Sequence, residues 1–572
     1  MTTFLVLAAP AFWIGYLVFH YGVDTPWGDQ WDLSRLLLVK AAAGTLRFRD
    51  FFAFHNEHRH FFPALLIFAL GKLTHWNVRA ELFVNWLLVC LSGVGLWRLA
   101  LVSGWRESRA RDWLLLAAGI LLFTPSQWEN LLWGFQIGFF LPLASSIIGL
   151  WLARSLPRPL DFVAAMLLCL VSTFSVASGF AAWIFTAPVL FLEKRSAPRR
   201  PDQLWWFVWG VVGVASTVLY FHGYKRPEVH PSPALVLQQP VAAFRFFLAY
   251  LGNPFCTGTA FARANIAQIA GGALLVPLLG CAAYLFHWRR DRTLLSDALP
   301  WLSLTSIALV NAALTTLGRF GFGMNGALQS RYVSFAVTLP IGLLFLLARI
   351  VRHRRKAPPL QLAFASFLTA LALLFLGAAI YSLDYWRMFQ HDRLSGKAAL
   401  AFINVLDEPQ ALARHVHWSH WTLKEWTESV ARLGYLRPAP LRSRSIREIA
   451  SDSDEEAMGS LDHVGYTADG QFTASGWAVL LEQHRIADSV LLAYDSGDGD
   501  GTIFARADVG YARADVGARL RDDTYQPSGW ATSCKREEIP ASARRITVWA
   551  FNAEECRAFL IGSTSIPAST SE

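Results

Sequence analysis

Runs of about 20 apolar residues recur through the first two-thirds of this chain. As helices rising about 1.5 Å per residue, such runs are long enough to cross the ~30 Å hydrocarbon core of a bilayer. In hydrocarbon every backbone N–H and C=O must be satisfied internally, so they read as helices. Composition agrees: 54% of the residues are hydrophobic and 16% charged, against ~25% charged in typical soluble domains. The chain is therefore expected to be a polytopic α-helical membrane protein. Its net charge is +9, with the basic residues clustered in short loops. That clustering points to membrane topology, and no nucleic-acid partner is expected. Twenty-four Trp suit the headgroup interface.

Eleven spans are predicted, near 3–20, 80–102, 112–125, 134–153, 160–176, 178–192, 204–221, 265–287, 298–317, 332–350 and 360–381. The first lacks a basic n-region and a cleavage site, so it reads as a retained helix. With the N-terminus inside, each inner loop is basic: Arg106, Arg109 and Arg111; Arg154 and Arg158; Lys194, Arg195, Arg199 and Arg200; Arg289, Arg290 and Arg292; Arg352, Arg354 and Arg355. The short outer turns at Pro125–Leu132 and near Ala177 carry no Lys or Arg, which is the positive-inside pattern. The opening loop, 21–79, and everything after Tyr381 then fall outside. The pair 160–176 and 178–192 reads as two spans or as one re-entrant element; later loops keep their sides either way.

The opening loop is long, and its Val23–His60 stretch carries Asp24, Asp29, Asp32, Asp50 and Glu57 with His55, His58, Arg59 and His60. Leu33–Ala43 and Phe61–Leu70 read as short interface helices. Three more outer segments share its face. One is Gln127–Gln136, with Glu129 and Asn130 between Trp128 and Trp133. Another is Phe221–Arg263, with Tyr224, Lys225, Arg226, His230 and the apolar stretch Phe244–Leu251. The last is Gly318–Tyr332, with Arg319, Gln329 and Arg331.

Over residues 1–381 this architecture resembles the GT-C glycosyltransferase superfold, whose first outer loop carries an early acidic residue and two interface helices. The segments WGDQWD, HNEHR…FFP, QWENLLWGFQ and SRY look like those of bacterial membrane proteins of this type. The resemblance implies transfer of a sugar from a polyprenyl-phosphate donor to an envelope glycan or lipid acceptor. It places the reaction at the outer face of the bacterial inner membrane. Inversion at the anomeric carbon needs a carboxylate to deprotonate the acceptor hydroxyl. The departing phosphate needs cations.

Asp29, in Gly-Asp-Gln-Trp-Asp, is the favoured base, with Asp24 and Asp32 as alternatives. The competing role for Asp29 or Asp32 is to cap the helix at Leu33. Glu57, His58 and Arg59 are expected to bind phosphate or acceptor, Arg59 alternatively snorkelling to headgroups. Glu129, Asn130 and Gln136 join the expected substrate contacts. Arg319 and Arg331 are expected to bind phosphate or to pair with an outer-loop carboxylate. A dedicated metal site on His55, His58, His60 and Glu57 is disfavoured. A loosely held Mg²⁺ or Mn²⁺ between Asp29 and the donor phosphate fits better. The competing functions are a transporter or flippase for a lipid-linked glycan, and a non-catalytic scaffold. A transporter would concentrate polar groups at the bilayer midplane; here they gather at one face.

Hydropathy falls after Tyr381. Residues 382–456 read as a helical segment and linker, with helix-like spacing at Leu400–Leu406 and Trp418–Leu433. Residues 457–572 read as a β-sandwich, with strands at Gln471–Leu480, Ser489–Tyr494, Gly529–Cys534 and Arg545–Phe551. An oxidising compartment would allow a Cys534–Cys556 disulfide. Cys90, Cys169, Cys256 and Cys281 read as packing residues. Asp495, Asp498 and Asp500 read as a hairpin turn, lacking the downstream Glu of a calcium loop.

Overall fold

The computed structural model describes residues 2–105, 109–157, 159–192, 200–228, 230–256, 260–354, 358–451, 456–495 and 501–566. Arg106, Arg158, Lys194, Arg195, Arg199, Arg355, Asp498, Asp500 and linker residues 452–455 lie outside them. The chain forms two compact units. The first comprises Met1–Gly22, Thr45–Thr74 and Val78–Arg387; the second comprises Val23–Gly44, His75–Asn77 and Met388–Glu572. The opening loop is therefore divided: Asp24, Asp29 and Asp32 belong to the second unit, and Asp50 and Glu57 to His60 to the first.

Among the described residues, seven helices are long and apolar enough to cross a membrane: Val78–Val102, Gly134–Ser155, Gln203–Phe221, Ala262–His287, Arg292–Phe322, Ser330–His353 and Gln361–Ala401. The other predicted spans are also helices, Thr2–Tyr21, Arg109–Leu122, Leu160–Thr173 and Ala182–Leu192. Leu160–Thr173 has 14 residues, about 21 Å, which falls short of ~30 Å of hydrocarbon. Hydropathy could not separate such half-length helices from full spans, because both are equally apolar.

Small residues set the helix spacing. Helix Pro240–Gly252, in the stretch read as a loop, lies backbone to backbone against Ala260–His287. A Cβ on Gly271 would sit 1.9 Å from the Leu248 carbonyl oxygen, and one on Gly252 would sit 1.9 Å from that of Ala267. Such close approach replaces the hydrophobic drive that helices lack inside lipid. Four helix ends meet around Asp297, which pairs with Arg349 and, at 3.2 Å, with Arg154. Arg154 also donates to the Val102 carbonyl at 2.8 Å and to Ser296 at 2.9 Å.

The helix that carries the last predicted span continues past residue 381. One helix runs over Pro358–Ala401, because Tyr381–Lys397 contains no Pro and its only Gly is Gly396. Beyond it the second unit contains helices Pro409–His415 and His420–Ala431 and a two-sheet sandwich. Its strands are β1 (Ala450–Ser451), β2 (Ala457–Tyr466), β3 (Phe472–Leu480), β4 (Arg485–Ile486) and β5 (Ser489–Asp495). The rest are β6 (Thr502–Ala507), β7 (Val509–Tyr511), β8 (Gly529–Cys534), β9 (Arg545–Asn552) and β10 (Arg557–Ser565). One sheet runs β1-β10-β9-β5-β6. The other runs β2-β3-β8-β7, with β4 on β3.

Strand β5 explains why its sequence, SVLLAYD, does not alternate. Val490 and Leu492 face the sandwich core with Phe472, Trp530, Ile546 and Val548. Leu491 and Ala493 face the opposite way, into a second cluster with Ala398, Phe402, Ile446, Ile449 and Phe551. A strand covered on both faces is apolar throughout. The expected Cys534–Cys556 disulfide is absent: both thiols are free. Cys534 ends β8 in one sheet, and Cys556 lies in the β9–β10 turn of the other.

Candidate functional site

In the first unit, the turn His55-Asn-Glu-His58 closes on itself through His55 N–H to the His58 carbonyl (2.9 Å) and the reverse bond (3.0 Å). Asn56 takes φ 51°, which Asn tolerates better than most side chains. The turn presents the Glu57 carboxylate to Arg319, at the end of helix Arg292–Arg319. His58 Nε2 lies 3.5 Å from one carboxylate oxygen, and His230 Nδ1 lies 3.7 Å from the other.

Both imidazoles are oriented by their remaining nitrogen. His58 Nδ1 accepts the Ala177 N–H at 3.1 Å, and His230 Nε2 faces Arg319 Nη1 at 3.1 Å. A nitrogen that accepts from an N–H cannot itself carry the proton in that bond, so each ring carries a proton on the nitrogen that faces Glu57. Burial pushes the Glu57 carboxyl upward, but His58, Arg319 and His230 together hold it below its ordinary value. Burial, with help from Arg319 and Arg226, holds the His230 imidazole below its ordinary value against the pull of Glu57.

Arg59 is tied to backbone carbonyls. Its guanidinium is buried and donates to the carbonyls of Tyr220 (2.7 Å), Phe52 (2.5 Å) and His222, with Phe54 stacked 3.9 Å away. It braces the turn from beneath. The Tyr220 hydroxyl completes the brace by donating to the Glu57 carbonyl at 3.1 Å. His60 is buried too, its Nδ1 2.7 Å from the Ser175 carbonyl.

Glu129 and Arg331 form a second carboxylate–arginine pair in the same unit. Arg331 N–H donates to Glu129 at 3.2 Å, its Nη1 lies 3.8 Å from that carboxylate, and Gln329 also accepts from it. Asn130 is a structural tie: its amide donates to the Arg331 carbonyl (2.8 Å) and to Ser334 (2.7 Å), and Ser334 in turn donates to Gln127 (2.8 Å). Gln136 is buried, its Oε1 without a partner among the described residues. Both arginines thus stand beside loop carboxylates, Glu57 and Glu129.

In the second unit, Asp24, Asp29 and Asp32 are half-buried. Gly28, at φ 53°, turns the chain into the short helix Asp29–Asp32, and its N–H donates to the Val416 carbonyl at 3.0 Å. Neither Asp29 nor Asp32 occupies the N-cap position of this helix or of the next, Ser34–Ala42, where Gly28 and Leu33 stand. Asp32 instead accepts from His417 Nε2 at 3.2 Å. Lys397 donates to the Asp24 carbonyl at 3.2 Å. Arg35 donates to the Trp31 carbonyl at 2.9 Å and lies 4.2 Å over Trp426. The sequence reading did not include His417, Lys397 or Arg35. His417 stands 385 residues from Asp32, and only its setting in HVHWSHW marks it. Comparison with family profiles, curated proteins and solved structures returns no match.

Proposed function

We propose that this membrane protein is a glycosyltransferase of the GT-C type. It moves a sugar from a polyprenyl-phosphate donor to an envelope glycan or lipid acceptor at the outer face of the bacterial inner membrane. The observation that carries the reading is the clustering in the first unit. Arg319, His230 and His58, drawn from three distant segments, surround one carboxylate in a unit built of apolar helices. An anionic headgroup on an apolar tail needs cations at the edge of such helices. Arg319 and Arg331 are the phosphate ligands in this reading, with Glu57 and Glu129 as the counterions a phosphate would compete with. Glu57 and His58 shape the site, while Arg59, Asn130 and Gln136 support it.

A first-loop aspartate acts as general base. It takes the acceptor proton as the hydroxyl attacks the anomeric carbon, and the polyprenyl phosphate leaves with inversion. A Mg²⁺ or Mn²⁺ would find hard oxygen ligands in these aspartates and the donor phosphate. The test is the lipid-linked sugar profile of a deletion strain. Accumulation of an unused polyprenyl-phosphate sugar, reversed by the wild-type chain, is expected. An unchanged profile refutes transfer, and accumulation confined to the inner leaflet assigns the chain to flipping instead.

A further inference from the structure

His417 is buried, with 2% of its surface exposed, whereas the Asp32 carboxylate it meets is 28% exposed. Its Nδ1 accepts the Ser419 backbone N–H at 3.0 Å. A backbone N–H can only donate, so Nδ1 holds the lone pair and the ring proton sits on Nε2, aimed at Asp32 Oδ2 3.2 Å away. The ring cannot easily swing. Trp418 stacks on it with ring centres 4.2 Å apart, and Trp426 meets it edge-on at 5.3 Å. Arg35, lying over the same Trp426, adds its positive charge near Asp32. An accessible carboxylate held by a shielded donor of defined tautomer is how a reacting group is kept in one orientation.

Resting on the transfer reading above, we propose that His417 is a positioning residue for the first-loop base. It donates Nε2–H to one oxygen of Asp32, leaving the other oxygen to take the acceptor proton. The assignment shifts the weight within the loop from Asp29 toward Asp32. His417 touches no reacting atom and acts only through the carboxylate it orients.

Two substitutions isolate the donor. His417→Phe keeps an aromatic ring between Trp418 and Trp426 but removes the N–H. His417→Gln carries an amide N–H that can reach the same oxygen. The full-length protein is purified in detergent and given the lipid extract of the deletion strain as donor, in membranes of that strain as acceptor. A hydrogen bond to a charged group is worth about 1.5–3 kcal/mol, a factor of about 10–100 in rate. His417→Phe is expected to lower kcat by that factor with KM for the donor extract unchanged, and His417→Gln to restore most of it. If His417→Phe turns over like the wild type, or Gln fails where Phe fails, the positioning role is overturned while the transfer reading stands. If the wild type itself consumes none of the extract, the transfer reading falls and this inference with it.

Discussion

Replacing His415 with Phe tests the electrostatic packing of the second unit. His415 Nδ1 lies 2.6 Å from Asp392, and its Nε2 lies 3.1 Å from Asp508. Asp508 also accepts from Arg506 at 2.7 Å, Arg506 donates to Glu408 at 2.6 Å, and Arg414 stands 3.9 Å from Asp508. Burial pulls the His415 imidazole down, but its two hydrogen bonds and the charges of Asp392 and Asp508 outweigh that and raise it above the ordinary value. The imidazolium is therefore the bound form.

Each charge-assisted bond is worth about 1.5–3 kcal/mol. The acceptors are about one-third exposed, at 35% and 32%, so water recovers part of that value. A net loss of about 2–3 kcal/mol at pH 6 is expected for His415→Phe, roughly 5–10 °C in the midpoint for a unit of this size. The sign of the pH effect follows from linkage. A raised folded-state pKa contributes stability that is complete below the unfolded value near ~6.5, and that stability is lost as pH rises through the folded value. The gap between wild type and His415→Phe should therefore be widest near pH 6 and narrow toward pH 9. Thermal unfolding of both proteins in detergent across that range is the assay. A gap that stays constant with pH, or that widens on alkalinisation, refutes the imidazolium assignment.

Asp29→Asn should leave expression and thermal stability intact; full turnover of purified Asp29→Asn on the donor extract would exclude Asp29 as the base. Arg59→Met should lower stability by about 3 kcal/mol or more, because three carbonyls and the turn they brace lose a shared buried donor; a variant with wild-type melting behaviour would show that the brace is dispensable. Gly271→Leu should abolish folding in the membrane, since its side chain would meet the Leu248 backbone 1.9 Å away; a monodisperse, wild-type-like preparation would contradict the packing. Cys534→Ser with Cys556→Ser should change neither gel mobility without reductant nor the melting midpoint; a mobility shift in the wild type alone would reveal a disulfide.

Much of the fold was legible because its causes are local. Each apolar run carries its own reason to be helical, and a hydrocarbon solvent leaves no alternative. Strands β3, β8 and β9 follow from β-branched and aromatic residues between turns. The fall in hydropathy near Tyr381 and the end of the helix do not coincide: hydropathy marks where the solvent changes, whereas a helix ends only where the backbone is broken, here just beyond Ala401. Strand β10 and the two-faced burial of β5 depend on what covers them, which composition does not encode.

The candidate site divides along the same line. The sequence by itself determined which chemistry is present, since carboxylates, histidines and arginines cluster in segments that hydropathy assigns to loops. Tertiary structure alone decided what each one meets. It buried Arg59 beneath three carbonyls, set Arg319 against Glu57, 262 residues away, and brought His417 to Asp32 across 385 residues. Partners so distant in the chain meet only when packing of other residues has already fixed the backbone between them, so no local pattern announces them.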